Sequence, residues 1–370
     1  VGELKSMDQQ NVALDSLRQL VLKCCLISGI PEEDGEIFTD CLIEADLAGI
    51  TTHGVDRLPA YLDRIELGVT KVPTTLTVLK ENSASIYLDA NDGLGQVAAY
   101  KSAKLAAQKA KQNGVGAVVV KNSGHFGRAG YFTEQIAREG LIGFCCTNAS
   151  PRLAPWGGKK ALLGNNPWSF AFPRGKKAPC VIFDIANSVV AAGKIREAAH
   201  KNEKIPQNWA LTEEGKPTVD PEEALKGILL PMAGHKGYGI SLWVALLTGA
   251  LSGSEWDTNV TNIYDYSRPQ KVSHTFLAIN PEAFAGRDNY IRTLDHIYRE
   301  IKNSPLAEGF REVYLPGEIE ALKREGQIKE GVSLSRGTLQ RLADLAAKLK
   351  ISLPQDWVQF IRKGSLNKTM

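Results

Sequence analysis

Three histidines stand among small residues: TTHGVDRLPAY (51–61), NSGHFGRAG (122–130) and AGHKGYG (233–239), out of six histidines in 370 residues. Imidazole exchanges a proton near neutral pH, and a guanidinium fork matches a carboxylate. The stretch after Gly49 reads as another helix or a pair of turns; a helix starting near His53 would put Arg57 and Tyr61, four and eight residues on, along one face, with the Thr52 hydroxyl beside them. Such a set could clamp a 2-oxo or 2-hydroxy acid and move its proton. The plainer alternative is an N-cap threonine and a surface histidine packed on a tyrosine. His125 leaves one element and precedes another, where polar groups of α/β domains converge on ligands. Gly124 and Gly127 allow close backbone approach there, although a histidine that merely orders a turn would look similar. In GHKGYG, glycines and a helix start could cradle a phosphate beside Lys236, or simply make a tight turn.

Other stretches narrow the chemistry. The lysine of GHKG is followed by glycine rather than Ser or Thr, so this is no Walker A loop, and GxGxxG is absent from the chain. Any dinucleotide must therefore be held outside a Rossmann fingerprint. Asp184 closes the apolar run of FDIANS, where it could accept bonds from backbone or ribose or cap a turn. In TNASPRLAPWGG, Asn148 and Ser150 are candidate hydrogen-bonding contacts at a strand end, and Arg152 is an anion contact or, equally, a solvated loop arginine. Asp56, Asp63 and Glu66 fit no metal spacing, HExxH is missing, and no metal site is expected.

The elements that must position these residues follow from periodicity. Leu14, Leu17, Val21 and Cys24 form a helical stripe, and a second helix begins at Pro31, so the opening 75 residues read as mostly helical. The middle alternates: strand-like runs at 71–92, a helix over 100–116, GAVVVKNS, a helix in RAGYFTEQIAREG, then LIGFCCTNA. That alternation implies a mixed α/β core. Further strands are expected in GNNPWSFAFP, APCVIFDIANS and HTFLAINPEAF. GYGISLWVALLTGALSG reads as a buried apolar helix, and the tail LSRGTLQRLADLAAKLKI as an amphipathic helix returning onto the N-terminal part.

Composition agrees with a soluble enzyme. With 43% hydrophobic residues, 23% charged residues and a net charge of +3, the chain offers no basic stripe for nucleic acid. No apolar window approaches the ~18 residues of a membrane span, and VGELKSMDQQN has no signal-like pattern. A cytoplasmic location is the expectation. The six cysteines, two pairs of them adjacent in apolar text, read as buried thiols.

Taken together, THGVDR, NSGHFGRAG, TNASPRLAPWGG, GNNPWSFAFP, DIANSVVAAGKI, GHKGYG and YLPGE, in that order over about 50–318, resemble the type-2 malate/L-lactate dehydrogenase family. That family also holds ureidoglycolate, sulfolactate and diketogulonate-type enzymes and imine reductases. The resemblance implies a mixed α/β, non-Rossmann fold that uses NAD or NADP, usually as a homodimer. It implies a helical domain from both chain ends (1–75 plus 319–370) and a cofactor domain over 76–318. It assigns His53 and His125 to the catalytic pair; His125, leaving the core, is the first choice for proton transfer, with His53 orienting the oxygen, and the reverse assignment is the alternative. Arg57 would hold the substrate carboxylate, with Tyr61 and Thr52 as pocket neighbours. The cofactor would draw on Asn148, Ala149 and Ser150, on Asp184, Ile185, Ala186, Asn187 and Ser188, on Lys236 and Gly237, and on Pro316, Gly317 and Glu318. Ala149 lacks a side-chain hydroxyl that some relatives offer, which implies a backbone contact there. The expected substrate is a small 2-hydroxy/2-oxo acid, malate/oxaloacetate first, for which Arg128 or Arg152 could hold a second anionic group. Lactate, sulfolactate, ureidoglycolate or imine substrates, and a non-catalytic ligand-binding module, are the alternatives.

Overall fold

The computed structural model describes residues 8–175 and 178–366, with side chains to 363. Strand β1 (Gln9–Val12) leads into helices α1 (Leu14–Ile27) and α2 (Glu32–Leu47). Two single 3-10 turns, Thr51–His53 and Val55–Arg57, then precede α3 (Leu58–Glu66). Of the two readings of this stretch, a helix or a pair of turns, the turns form, and they meet at Gly54. There a Cβ would lie 2.1 Å from the buried Asp46 Oδ1, so only glycine admits this packing.

The central element is a seven-stranded sheet built from β2 (Thr77–Glu81), β3 (Ser85–Asp89), β4 (Val115–Ser123), β5 (Ile142–Thr147), β6 (Trp168–Phe172), β7 (Val181–Ile185) and, from much later in the chain, β10 (Val272–Ile279). Between β7 and β10, the two-stranded ribbon of β8 (Ala210–Leu211) and β9 (Ile228–Leu229) stands apart. The strand order is β2-β3-β4-β10-β5-β6-β7; only β3 and β4 pair in parallel. β10 is antiparallel to both neighbours, so β4 and β5 end at the same edge where β10 begins. Helices α4 (Gly95–Asn113) and α5 (Ala129–Arg138) pack on this sheet, and Phe276 and Ala278 of β10 are fully buried with them.

Further along, α6 (Ala192–Lys201), α7 (Pro221–Lys226) and α8 (His235–Ala245) surround a separate apolar cluster that includes Leu153, Ile195 and Leu229. After the surface helix α9 (Arg287–Lys302) come α10 (Glu318–Glu330), β11 (Val332–Ser335), α11 (Arg336–Lys348) and α12 (Gln355–Leu366). β11 pairs with β1, Gln9 opposite Ser335, and Leu17, Phe38, Leu42 and Leu58 share one core with Leu339, Leu342 and Trp357. Both ends of the described chain therefore build one helical unit. The fold is mixed α/β and non-Rossmann, since the sheet interleaves antiparallel strands instead of winding in parallel.

Two expectations are settled by packing. Five cysteines are buried and the sixth is half-buried, all unpaired, and burial pushes the Cys24 and Cys25 thiols up to about 11 and 12. The apolar helix over 235–251 is not wholly buried. Ser241, Val244 and Thr248 face inward, but Trp243, Leu246 and Leu251 are about half exposed (43%, 54% and 58%). Its sequence is apolar all round, yet in the single chain only one side meets the sheet. No helix among the described residues is long and apolar enough to cross a membrane.

Candidate active site

Three strand ends deliver side chains to one edge of the sheet. β4 runs into Gly124 and His125, β5 into Asn148–Ser150, and β10 is entered through Gln270. Gln270 accepts the His125 amide at 3.0 Å and donates to the Thr261 carbonyl at 3.2 Å. Beneath them the fully buried His274 ties the strands together, Nδ1 to Thr147 Oγ1 at 2.8 Å and Nε2 to Ser123 Oγ at 2.9 Å. Its ring stacks on Phe126, the neighbour of His125, at 4.7 Å. Burial lowers the His274 pKa to about 3, so it is a neutral cross-strand tie.

The turn pair between α2 and α3 faces this edge. Asp46, at the end of α2, accepts the Val55 amide at 2.7 Å and so holds the turns in place. The His53 ring lies over the His125 ring with centroids 5.5 Å apart. Thr52 Oγ1 is 3.0 Å from His53 Nδ1, and the Tyr61 hydroxyl is 2.6 Å from His125 Nδ1. Each Nδ1 is thus engaged, while neither Nε2 has a partner among the described residues. Desolvation, reinforced by the Arg57 charge, lowers both pKa values, His53 to about 3 and His125 well below its usual range. With burial the larger cause, both rings are neutral at neutral pH.

Arg57 itself is braced by Nε on the Thr52 carbonyl at 2.5 Å and by the Tyr264 ring, 5.6 Å from its Cζ. It has no carboxylate partner among the described residues. The cavity it shares with His53 and His125 is also lined by Asn148, Ala149, Ser150, Arg152, Gly193, Arg196, Asn262 and Tyr264, and by no Asp or Glu. Arg152 is half-buried and Arg196 is exposed midway along α6; burial, together with the Arg196 charge, lowers the Arg152 pKa. Neither guanidinium has an ion-pair partner among the described residues.

The remaining residues singled out by sequence fall into three groups. Asn148, Ala149 and Ser150 line the cavity, but the Asn148 amide is spent on the Glu255 carbonyl and the Ser273 amide. The Ala149 N–H is likewise committed, to Asn166 Oδ1 at 3.0 Å, so a backbone contact to a ligand there falls to the carbonyl. Asp184, Ile185, Pro316 and Gly317 line a second crevice with Arg128. Asp184 accepts the Gly130 amide at 2.7 Å, capping α5, and lies 3.8 Å from Arg128 Nε; Arg128 therefore serves that crevice and not the histidine cavity.

The third group is occupied elsewhere. Asn187 is fully buried, bonded to Trp168 Nε1 and the Asn166 carbonyl. Glu318 accepts Tyr298, Lys302 and the Leu315 amide, turned away from the crevice. Gly237 is a glycine because a Cβ would lie 2.2 Å from the Met232 carbonyl, while Lys236 is exposed at the start of α8. Ala186 is half-buried, and the buried Ser188 hydroxyl has no hydrogen-bond partner among the described residues. Tyr61 is 3% exposed and sits behind His125 instead of lining the cavity. Arg196, Tyr264, Gln270 and His274 went unmarked in the sequence; each lies in ordinary helix, loop or strand text, and no local pattern would have flagged it.

A neutral imidazole pair, a free guanidinium and a crevice at the sheet edge define a site for proton exchange on an anionic ligand. Comparison with known proteins gives the class. The malate/L-lactate dehydrogenase family model matches residues 12–343, and the chain belongs to this family. The L-sulfolactate dehydrogenase of Methanocaldococcus jannaschii is 38% identical over 96% of this chain and 99% of its own. A malate dehydrogenase of Pyrococcus abyssi is 38% identical over 91% and 94%. Among solved structures, sulfolactate dehydrogenase from M. jannaschii superposes with a TM-score of 0.87 (38% identity; 93% of this chain, 98% of that one). Malate dehydrogenase from Entamoeba histolytica gives 0.89 (32%; 94% and 99%). The protein is thus an NAD(P)-dependent oxidoreductase that moves hydride to or from a 2-hydroxy/2-oxo acid.

Proposed function

We propose that the protein interconverts malate and oxaloacetate with NAD or NADP at the cavity of His53, His125 and Arg57. The observation that carries this reading is the cavity's charge: three guanidinium groups, two neutral imidazoles and no carboxylate. Arg57 clamps the carboxylate next to C2, and Arg152 with Arg196 takes the distal one. Lactate and ureidoglycolate need no such second cation. Sulfolactate, with a sulfonate as the distal anion, is the second reading for the same reason.

A nicotinamide cofactor, when bound, would supply the hydride to C2 or accept it. Of the residues expected to hold the cofactor, Asn148, Ala149 and Ser150 line the histidine cavity, while Asp184, Ile185, Pro316 and Gly317 line the second crevice, where a Cβ on Gly317 (φ +88°) would lie 3.0 Å from the Ile182 carbonyl. In oxidation, His125 Nε2 takes the C2 hydroxyl proton, for which its depressed basicity keeps it free. His53 Nε2 orients the same oxygen. In reduction His125 takes a proton from solvent, favoured once the substrate's negative charge sits beside it, and delivers it to the forming alkoxide. The exposed Trp243, Leu246 and Leu251, with Leu277 and Ile279 on the outer side of β10, give an apolar face suited to a homodimer. The test is nicotinamide absorbance with NADH and NADPH against oxaloacetate, sulfopyruvate, pyruvate and oxalurate. Preference for either dianion over pyruvate supports the reading, oxaloacetate favouring the first form; equal turnover of pyruvate overturns it.

A further inference from the structure

Arg64 is a charged side chain buried where nothing neutralises it. It lies near the end of α3 at 1% exposure, and its guanidinium donates to backbone carbonyls alone. Its Nε is buried with no hydrogen-bond partner among the described residues. A buried cation without an ion-pair partner is costly, and a methionine could fill the space without that cost. The carbonyls it grips therefore indicate what the charge is for.

All three belong to one segment. Nη1 donates to the Ile263 carbonyl at 3.3 Å and to the Asp265 carbonyl at 2.6 Å, and Nη2 donates to the Arg268 carbonyl at 2.9 Å. Residues 261–269 form neither helix nor strand. The Ile263 side chain is buried in the core of the helical unit, and Gln270 leads the segment into β10. Ile263 and Asp265 flank Tyr264, whose ring lines the cavity and lies 5.6 Å from Arg57 Cζ. The Tyr264 side chain is about half exposed, so packing alone does not fix its ring; the main chain on either side must. Tyr61, three residues before Arg64 on α3, meets His125. One turn of α3 thus reaches a catalytic imidazole with one side chain and the wall beside Arg57 with the other.

We propose that Arg64 is a positioning residue for substrate binding: by gripping the carbonyls on either side of Tyr264, it holds that ring against Arg57 and so orders the guanidinium that receives the substrate carboxylate. A guanidinium presents donors in a fixed fork, which suits three carbonyls of one bend; a lysine ammonium does not. An Arg57 already ordered by a ring face loses less freedom when the carboxylate arrives, so the effect falls on substrate affinity. This kinetic consequence rests on the reading of the cavity as a 2-oxo acid site; the grip itself does not.

Amide hydrogen exchange, beside steady-state kinetics with oxaloacetate, tests this on Arg64→Met and Arg64→Lys. In Arg64→Met, peptides covering 261–268 should exchange about tenfold faster or more, with α1, α2 and β4 unchanged. KM for oxaloacetate should rise about tenfold, while kcat and the Kd for NADH or NADPH stay within about threefold. Arg64→Lys should fall between parent and Arg64→Met. Added to Tyr264→Ala, which raises KM by itself, Arg64→Met should raise KM by less than about threefold further. Unchanged exchange over 261–268, an unchanged KM, or a full tenfold rise on top of Tyr264→Ala overturns the proposal. So does faster exchange throughout the helical unit with a fall in kcat, the mark of general loosening. Should Arg64→Met fail to fold, Arg64→Lys decides, and parental exchange and KM in that variant overturn the proposal. No turnover of any 2-oxo acid by the unsubstituted protein would remove the dehydrogenase reading and leave exchange over 261–268 to judge the grip.

Discussion

Arg57 offers a perturbation whose size can be worked from its surroundings. Its Nε is spent on the Thr52 carbonyl, and the terminal nitrogens have no acceptor among the described residues. A carboxylate received there gains two charge-assisted hydrogen bonds, each contributing about 1.5–3 kcal/mol. Arg57→Lys keeps the charge but loses the fork, so kcat/KM should fall about 10- to 100-fold, taking about 1.4 kcal/mol per decade. Arg57→Ala loses both bonds, about 3–6 kcal/mol, or roughly two to four decades. Folding should cost little, about 1 kcal/mol, because only one carbonyl contact and a 5.6 Å ring contact disappear. A second signature separates this from general damage. The Arg57 charge depresses both His53 and His125. Removing it raises their pKa values, so the acid limb of the oxidation profile should move to higher pH in Arg57→Ala and stay in place in Arg57→Lys. Steady-state rates across pH, beside urea unfolding, measure all of this. Turnover of Arg57→Ala within about threefold of the parent, with an unmoved limb, would refute the argument.

Other perturbations probe the supports. Gly54→Ala should cost about 1–3 kcal/mol in chemical denaturation and most of the activity, because the new Cβ meets the buried Asp46 carboxylate at 2.1 Å. Arg152→Ala should lower kcat/KM for oxaloacetate about tenfold while leaving pyruvate unchanged; an equal fall for both acids would remove Arg152 from the distal-anion role. His274, lowered from 6.5 to about 3, stays unprotonated in the fold while the unfolded chain gains a proton below 6.5. Stability should therefore be full above that pH and drain by up to about 1.4 kcal/mol per unit toward pH 3. Urea melts at pH 7 and 5 should show a smaller loss in His274→Gln, and an identical loss would contradict the assignment.

Much of the site was legible because its chemistry needs rare residue types in short contexts. His53, Arg57 and His125 were marked by type and by flanking glycines, and all three line one cavity. Their geometry was less legible. Reading 53, 57 and 61 as one helical face placed Tyr61 on the substrate, whereas Gly54 breaks the helix and Tyr61 ends behind His125. Asn187, Gly237 and Glu318 belong to segments with a functional look, yet their side chains or Cβ positions are consumed by packing.

By itself the sequence determined the local alphabet: helix stripes at both ends, strand and helix alternating through the middle, and the imidazole and guanidinium groups that do proton and anion chemistry. Periodicity and residue type act over a few positions, so these survive without knowledge of the fold. The tertiary structure alone decided that β10 inserts between β4 and β5 and brings Gln270 to His125 across 145 residues of chain. It alone stacked His53 on His125, joined Arg196 to Arg152 at one cavity, and closed the helical unit by pairing β1 with β11. Such contacts depend on loop closure and on which surfaces find one another to bury, quantities that no local window of sequence contains.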